Sequence, residues 1–482
     1  MNYKCSSDSI RQQILNNLSG IEEDDGEDDN FLLHPLRSNS SNQVLSKENT
    51  KILNHNLGAM HSSIPLKEST LINILNNIFK LIHHFDISQY LQLPDDIDKL
   101  LEFSQNPEYR GEVEKRAKSI LSVILTYPRN ISEKLYENGI FQQMIDNFLE
   151  PQWLYGIIRY CRFSVENRNH LFQLNVPQEL CNQLNIDENK YNYILDGISK
   201  FASSLCLYPL SDVNQLKVLS HLFSILVRSL EIVEIDVENI ILGALFRFST
   251  LDANCLNEFA KFQIFKKYSL MNESFHPRNI AKLAVLMTAV MNFSYEYALY
   301  LTNNENCWAI VLRFFKYLVD CDSNLYQKGS FIISDAAIIM SNVSPSIFVD
   351  KSIYIILLNF YGTLQYEIKS QIGMCFYSAL DNATQTQIQK LIDNEIYRVA
   401  LYDYFPDINH SKFILAGRGF LNLLNYLELN KMDDVINDLM QSDELESFFS
   451  KCSEDQDLVN NLQEDKKNIL LLIISKISQY MN

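Results

Sequence analysis

Glycine and proline are both scarce in this chain, 13 and 11 residues out of 482. A many-stranded fold with frequent tight turns needs both. Their shortage, beside abundant Leu, Ile, Asn and Lys, points to helices joined by short connections. Paired cysteines are missing too. The nine thiols stand at 5, 161, 181, 206, 255, 307, 321, 375 and 452, and no two form a CxxC pair. Several sit inside apolar text, as in Arg159-Tyr160-Cys161 and Met374-Cys375-Phe376. This argues against a disulfide framework and fits reduced, buried thiols in a cytoplasmic or nuclear protein. Positive charge is in deficit: 41 Lys and Arg face 59 Asp and Glu, a formal net charge of −18. A diffuse nucleic-acid binder needs a basic face to displace phosphate counterions, so no nucleic acid is expected as partner. Long apolar runs are lacking as well. The stretch 469–474 is far below the roughly 20 residues that span a bilayer, and no membrane insertion is expected. The first residues show no basic stretch followed by an apolar core, so no secretory signal is expected either.

What is present falls into three parts. Residues 1–68 carry the acidic run Glu22-Glu23-Asp24-Asp25-Gly26-Glu27-Asp28-Asp29 and the polar run Ser38-Asn39-Ser40-Ser41-Asn42. Apolar periodicity is weak there apart from a short helix over 9–18, so an acidic, mostly disordered arm is expected. It serves as a solvating tail or as a tether for a basic partner. From 69 the texture changes. Leu71, Ile72, Ile74, Leu75, Ile78, Phe79, Leu81 and Ile82 recur at helical spacing, and similar segments follow to about 430. Pro107, Pro128, Pro151, Pro177 and Pro209 are placed between helical segments. Residues 431–482 read as a C-terminal helical cap.

Internal repetition organises residues 69–430. Gly156-Ile157-Ile158-Arg159-Tyr160-Cys161-Arg162-Phe163-Ser164 is echoed by Gly197-Ile198-Ser199-Lys200-Phe201-Ala202-Ser203 and by Gly243-Ala244-Leu245-Phe246-Arg247-Phe248-Ser249-Thr250. Further copies end at Asn292, Asn342 and Ser378. Their spacing scatters around 40 residues, the period of stacked helical repeats that bury their apolar faces against one another. The fold class expected is all-α, an armadillo/HEAT-type right-handed α-solenoid of about seven to nine repeats.

Asp335-Ala336-Ala337-Ile338-Ile339-Met340-Ser341-Asn342 resembles the third helix of the armadillo repeats of importin-α, written acid-Ala-small-Trp-x-apolar-Ser-Asn. Ile338 stands at the Trp position. Glu367-Ile368-Lys369 matches the family's E-I-(K/R), which puts Met374 at the Trp position and Ser378 at the Asn position. Gln387-Ile388-Gln389-Lys390-Leu391-Ile392-Asp393 looks like its Q-I-Q-x-L-(V/I)-(D/E). Asn292 falls at another ladder position with Thr288 at the Trp position, and Phe246 and Thr250 are the pair one repeat earlier. The resemblance implies a concave groove for an extended basic peptide. In that family Trp indoles hold the stems of Lys and Arg, while Asn amides clamp the peptide backbone. The site residues it implies are Asn292, Asn342, Asp335, Ile338, Phe246, Thr250, Thr288, Met374 and Ser378. Members also carry a basic N-terminal segment that engages importin-β. Residues 1–70 here hold six Lys and Arg against ten acids, which argues against importin-β docking.

Catalytic and metal-binding patterns do not emerge. Gly417-Arg418-Gly419-Phe420 lacks the preceding strand and spacing of a phosphate loop and reads as a turn within the last repeat. His83 and His84 are adjacent, so a helix points them apart. Asp95-Asp96 and Asp433-Asp434 lie in charged surface text. No cofactor and no metal are expected, and the chain reads as non-enzymatic. Asn292 and Asn342 each close an apolar helix. They either cap the following turn or line a groove for a peptide whose cations pair with Asp335. The function expected is nuclear-import-type recognition of a basic peptide, in the cytoplasm, the nucleus or both. The alternative is a scaffold docking a folded protein.

Overall fold

A computed structural model of the chain describes residues 45–62, 66–85, 87–92, 94–109, 111–127, 129–186, 194–230, 233–270, 277–320, 325–361, 366–394, 413–454 and 462–480. Among these the regular structure is helical and contains no strand, as the shortage of glycine and proline implies. Two compact units divide it inside the stretch expected to be one continuous run: Asp25–Phe262 and Gln263–Asn482.

The first unit contains α1 (Lys47–Met60), α2 (Glu68–His84), α3 (Asp95–Gln105), α4 (Glu112–Ile124), α5 (Arg129–Glu137), α6 (Ile140–Asp146), α7 (Pro151–Phe163), α8 (Val165–Gln173), α9 (Val176–Ile186), α10 (Leu195–Leu205), α11 (Val213–Ser229), α12 (Ile235–Ser249) and α13 (Ala253–Ala260). Here α2 packs on α4, α4 on α7, α7 on α10 and α10 on α12, while α9, α11 and α13 form a parallel succession beside them. The second unit contains α14 (Ile264–Leu270), α15 (Pro277–Phe293), α16 (Tyr295–Asn304), α17 (Cys307–Asp320), α18 (Leu325–Val343), a π-turn (Ser346–Asp350), α19 (Ile353–Tyr361), α20 (Tyr366–Asn382), α21 (Gln385–Asp393), α22 (Phe413–Leu429), α23 (Asp433–Met440), α24 (Asp443–Glu454) and α25 (Glu464–Tyr480). Its main succession is α15, α18, α20, α22 and α25, with α14, α17 and α19 alongside.

Local sequence explains where these helices start and stop. Side-chain oxygens of Ser46, Ser164, Asp212, Asp252 and Ser294 accept from backbone N–H groups in the first turns of α1, α8, α11, α13 and α16. Thr384 and Gln387 form a reciprocal capping box at α21. Several helix junctions use a left-handed residue that is not glycine: Asn175, Gln263, Asn306, Ser352 and Lys431, with φ between 49° and 58°. That is how so many helix ends are made with so few glycines, at a cost of about 1 kcal/mol each. The prolines behave similarly. Pro107 and Pro209 lie between helices, Pro151 and Pro177 occupy first turns where no N–H is needed, and Pro128 lies outside the described residues.

Two expectations need correction. Part of the 1–68 arm is folded: α1 buries Leu53, Leu57 and Met60 against α2, and His61 Nε2 lies 2.6 Å from the buried Asp96 carboxylate. The α1 stripe is easy to miss, because Asn and His residues dilute three apolar positions. The acidic run, the polar run and the 9–18 helix lie outside the described residues. The second correction concerns Gly417-Arg418-Gly419-Phe420, which is no turn. It lies inside α22, and a Cβ on Gly419 would stand 1.7 Å from the Tyr377 carbonyl oxygen of α20. Gly156 and Gly197 do the same work in the first unit, the former against Ser122 and the latter against Leu154. These glycines serve close approach between successive helices, whereas Gly111 and Gly139 take positive φ at the junctions before α4 and α6.

Candidate functional site: polar side chains along the stacked helices

Each helix of the main successions ends in carbonyl groups without intrahelical partners. In this chain amide and guanidinium side chains from a neighbouring helix satisfy many of them. In the second unit Asn342 Nδ2, at the end of α18, donates to Ser378 O in the last turn of α20 at 3.0 Å. Asn382 Nδ2 donates to Asn342 O (2.9 Å), and Asn422 Nδ2 of α22 to Leu380 O (2.7 Å). Arg313 of α17 donates to Tyr268 O and Ser269 O at the end of α14, both at 3.2 Å. In the first unit Arg168 donates to Tyr208 O (2.7 Å) and Pro209 O (2.8 Å), just past α10, and Arg162 Nε to Ser204 Oγ (3.0 Å). These partners stand 36 to 45 residues apart. Arg159 reaches 77 residues back to Ile82 O at the end of α2. Cationic donors suit this place, because the helix dipole is negative there.

The candidate groove residues now have positions. Ile338 and Met374 are fully buried, and Phe246, Thr288 and Ser378 are buried as well. They lie in the core instead of lining an open groove. For Thr288, Ile338, Met374 and Ser378 the reason is the packing of α15, α18, α20 and α22 in succession; Phe246 is buried in the other unit, where α12 packs on α10. Thr250 donates its hydroxyl back to Phe246 O (2.8 Å) and closes α12. Asn342 is 3% exposed, with its amide committed to Ser378 O and to Asp381 Oδ2 (3.1 Å), so it fastens α18 to α20. Asn292 donates to Thr288 O of its own helix (3.0 Å) and is half-buried, as is Asp335. Of the nine, Asn292, Thr250 and Asp335 keep partial access to solvent. The structure brings Asn342 and Ser378 together, while Phe246 and Thr250 belong to the other unit.

Further polar groups stand between successive helices: Asp381 and Arg418 in the second unit, and the buried Arg162 and Arg168 in the first. Arg418 of α22 grips Asp381 of α20 with a fork, Nε to Oδ1 at 3.1 Å and Nη2 to Oδ2 at 3.0 Å. Arg162 and Arg168 are at most 1% exposed, and burial lowers the Arg162 pKa to about 10. Their signal was visible in Gly156-Ile157-Ile158-Arg159-Tyr160-Cys161-Arg162: a charged residue closing an apolar helix has to find a partner.

Chemistry remains sparse. Burial pushes the Cys161 thiol up to about 12 and the Cys375 thiol up as well, which leaves both poor nucleophiles. Glu305 is 1% exposed, and burial raises its carboxyl although it caps α14 through Lys266 N (3.1 Å). Among the described residues no three His, Cys, Asp or Glu converge to hold a metal ion. Also among them, no helix is long and apolar enough to cross a membrane.

No protein-family model matches the chain, and no curated protein matches it. Among solved structures it is similar to an engineered protein determined by crystallography. The two are 12% identical, the match covers 89% of this chain and 99% of that one, and the TM-score is 0.56. At that identity the likeness concerns the arrangement of helices alone.

Proposed function

We propose that the chain is a non-enzymatic, protein-binding adaptor built as an armadillo/HEAT-type right-handed α-solenoid. The observation that carries this reading is the recurrence of side-chain bonds about 36 to 45 residues apart, joining successive helices in both units. A stack of equivalent units offers one equivalent position per repeat, which suits an extended polypeptide. The net charge of −18 and the partly exposed Asp335 and Asn292 favour a basic segment, as in importin-α-like cargo recognition. With Ile338 and Met374 buried, the ligand's cationic stems meet no aromatic slots at those positions. Recognition runs through carboxylates and amides instead.

Fluorescence anisotropy with a lysine-rich import signal, at low and physiological salt, tests the reading. Asn292→Ala combined with Asp335→Asn should weaken binding by about five-fold or more. Asn342→Ala should chiefly lower stability. Absence of binding at both salt concentrations would sink the proposal. A scaffold that docks a folded partner is the second reading. It is favoured by Ile355 and Ile356, adjacent on α19 and 43% and 38% exposed.

A further inference from the structure

The ion pair between α20 and α22 differs from the other inter-helix bonds. Most of the bonds described above run from an amide or guanidinium to a backbone carbonyl and finish a helix end, whereas here a guanidinium meets a carboxylate with both of its arms. Asp381 accepts both arms of the Arg418 fork and, on Oδ2, the Asn342 amide as well. The Asp381 side chain is 12% exposed and the Arg418 side chain 26%, so the pair is partly open to solvent. Gly419 sets the depth. With no Cβ there, α22 lies against the Tyr377 carbonyl, and the neighbouring Arg418 is delivered onto Asp381. The result is a planar, two-pronged receptor for one guanidinium, with an amide holding the carboxylate in place.

We propose that Asp381 and Asn342 form an arginine-binding subsite that Arg418 fills in cis, and that an arginine side chain of a ligand takes the same place by displacing it. For the ligand's identity this rests on the adaptor reading; the subsite itself does not. Two consequences follow. The free chain keeps this acidic receptor closed, so a basic segment binds with the displacement of Arg418 as a penalty. And the subsite discriminates. The fork geometry matches a guanidinium, whereas an ammonium makes at most one of the two parallel bonds, so arginine is preferred to lysine at this position.

Chemical rescue separates the subsite from the adaptor function. Arg418→Ala leaves Asp381 with the Asn342 amide but without its cation and should lower the melting temperature. Millimolar methylguanidinium should then raise it by about 2 °C over an equal concentration of methylammonium, through selective binding to the folded state. The parent chain and the Asp381→Asn/Arg418→Ala double variant should show no such difference. Arg418→Met keeps the packing of the stem and serves if the alanine variant does not fold. In anisotropy an arginine-containing basic peptide should bind Arg418→Met about five-fold more tightly than the parent, and adding Asp381→Asn should abolish the gain. Equal responses to the two cations, or a peptide affinity that Arg418→Met does not improve while the parent binds, would overturn the inference. Rescue by methylguanidinium with no peptide bound by any variant would support the subsite and overturn the adaptor reading.

Discussion

Gly419→Ala is the sharpest perturbation the packing allows. An added Cβ would sit 1.7 Å from Tyr377 O, 2.7 Å from its carbonyl carbon and 3.1 Å from Asp381 N. All three atoms belong to the backbone of α20, so no side chain can rotate away. Restoring ordinary van der Waals separation requires α20 and α22 to part locally by roughly 1.5–2 Å. Overpacking of this kind costs about 1–3 kcal/mol. The same displacement carries the Arg418 fork, at 3.0 and 3.1 Å, out of hydrogen-bond range, which adds about 1–3 kcal/mol. Alanine's better helix propensity returns only about 1 kcal/mol. A net loss of about 1–5 kcal/mol is expected. Gly58 provides the control. It lies inside α1 with nothing within 4 Å of its would-be Cβ, so Gly58→Ala should stabilise by about 0.5–1 kcal/mol. Urea unfolding followed by circular dichroism reads the totals, and hydrogen exchange over α20 and α22 localises the effect. If Gly419→Ala is as stable as the parent, with unchanged exchange in both helices, the close-approach account of α22 is wrong.

Arg168→Lys should cost about 2–3 kcal/mol in urea unfolding despite its retained charge, because one ammonium cannot reproduce the contacts to Tyr208 O, Pro209 O and Asn169 Oδ1. Glu305 gives a pH signature. Burial raises its folded pKa above the unfolded value, so the folded chain binds more protons. The group therefore favours folding most below the ordinary carboxylate pKa, and that contribution is lost as pH rises through the raised value. Glu305→Gln should flatten stability against pH in that window. An unchanged profile from pH 4 to 8 would show the group to be silent. Cys161, Cys181, Cys206, Cys255, Cys307, Cys375 and Cys452 are all buried, so in the native chain a thiol reagent should modify none of them. Peptide mapping after brief iodoacetamide treatment checks this, and label at Cys161 or Cys375 without denaturant would contradict it.

The helical class was legible because it depends on local properties. Leu71, Leu75, Ile78 and Ile82 announce a buried helix face by spacing alone, and all four are buried in α2. The repeat-like echoes beginning at Gly156 and Gly197 were visible as well, although their reason was not. Each glycine marks where one helix meets an earlier one, Gly156 against Ser122 and Gly197 against Leu154, a fact that belongs to two segments far apart in sequence. The α1 helix was missed because its stripe is short and mixed with Asn and His. The candidate groove was legible only as a pattern. Spacing assigned Ile338 and Met374 to one repeat position and Ser378, with Asn342, to another, but it cannot say whether such a position faces solvent or the adjoining helix.

By itself the sequence determined that this chain is helical, and it marked helix starts through Ser46, Ser164, Asp212 and Thr384, because caps and apolar periodicity act within a few residues. Tertiary structure alone decided what the polar residues at the helix ends do. Asn342 became a fastener to Ser378 and Asp381, and Arg418 became the occupant of a carboxylate, because each lies beside a helix about 40 residues away in sequence. A buried amide or guanidinium must be satisfied, and a linear pattern states that need without naming the partner.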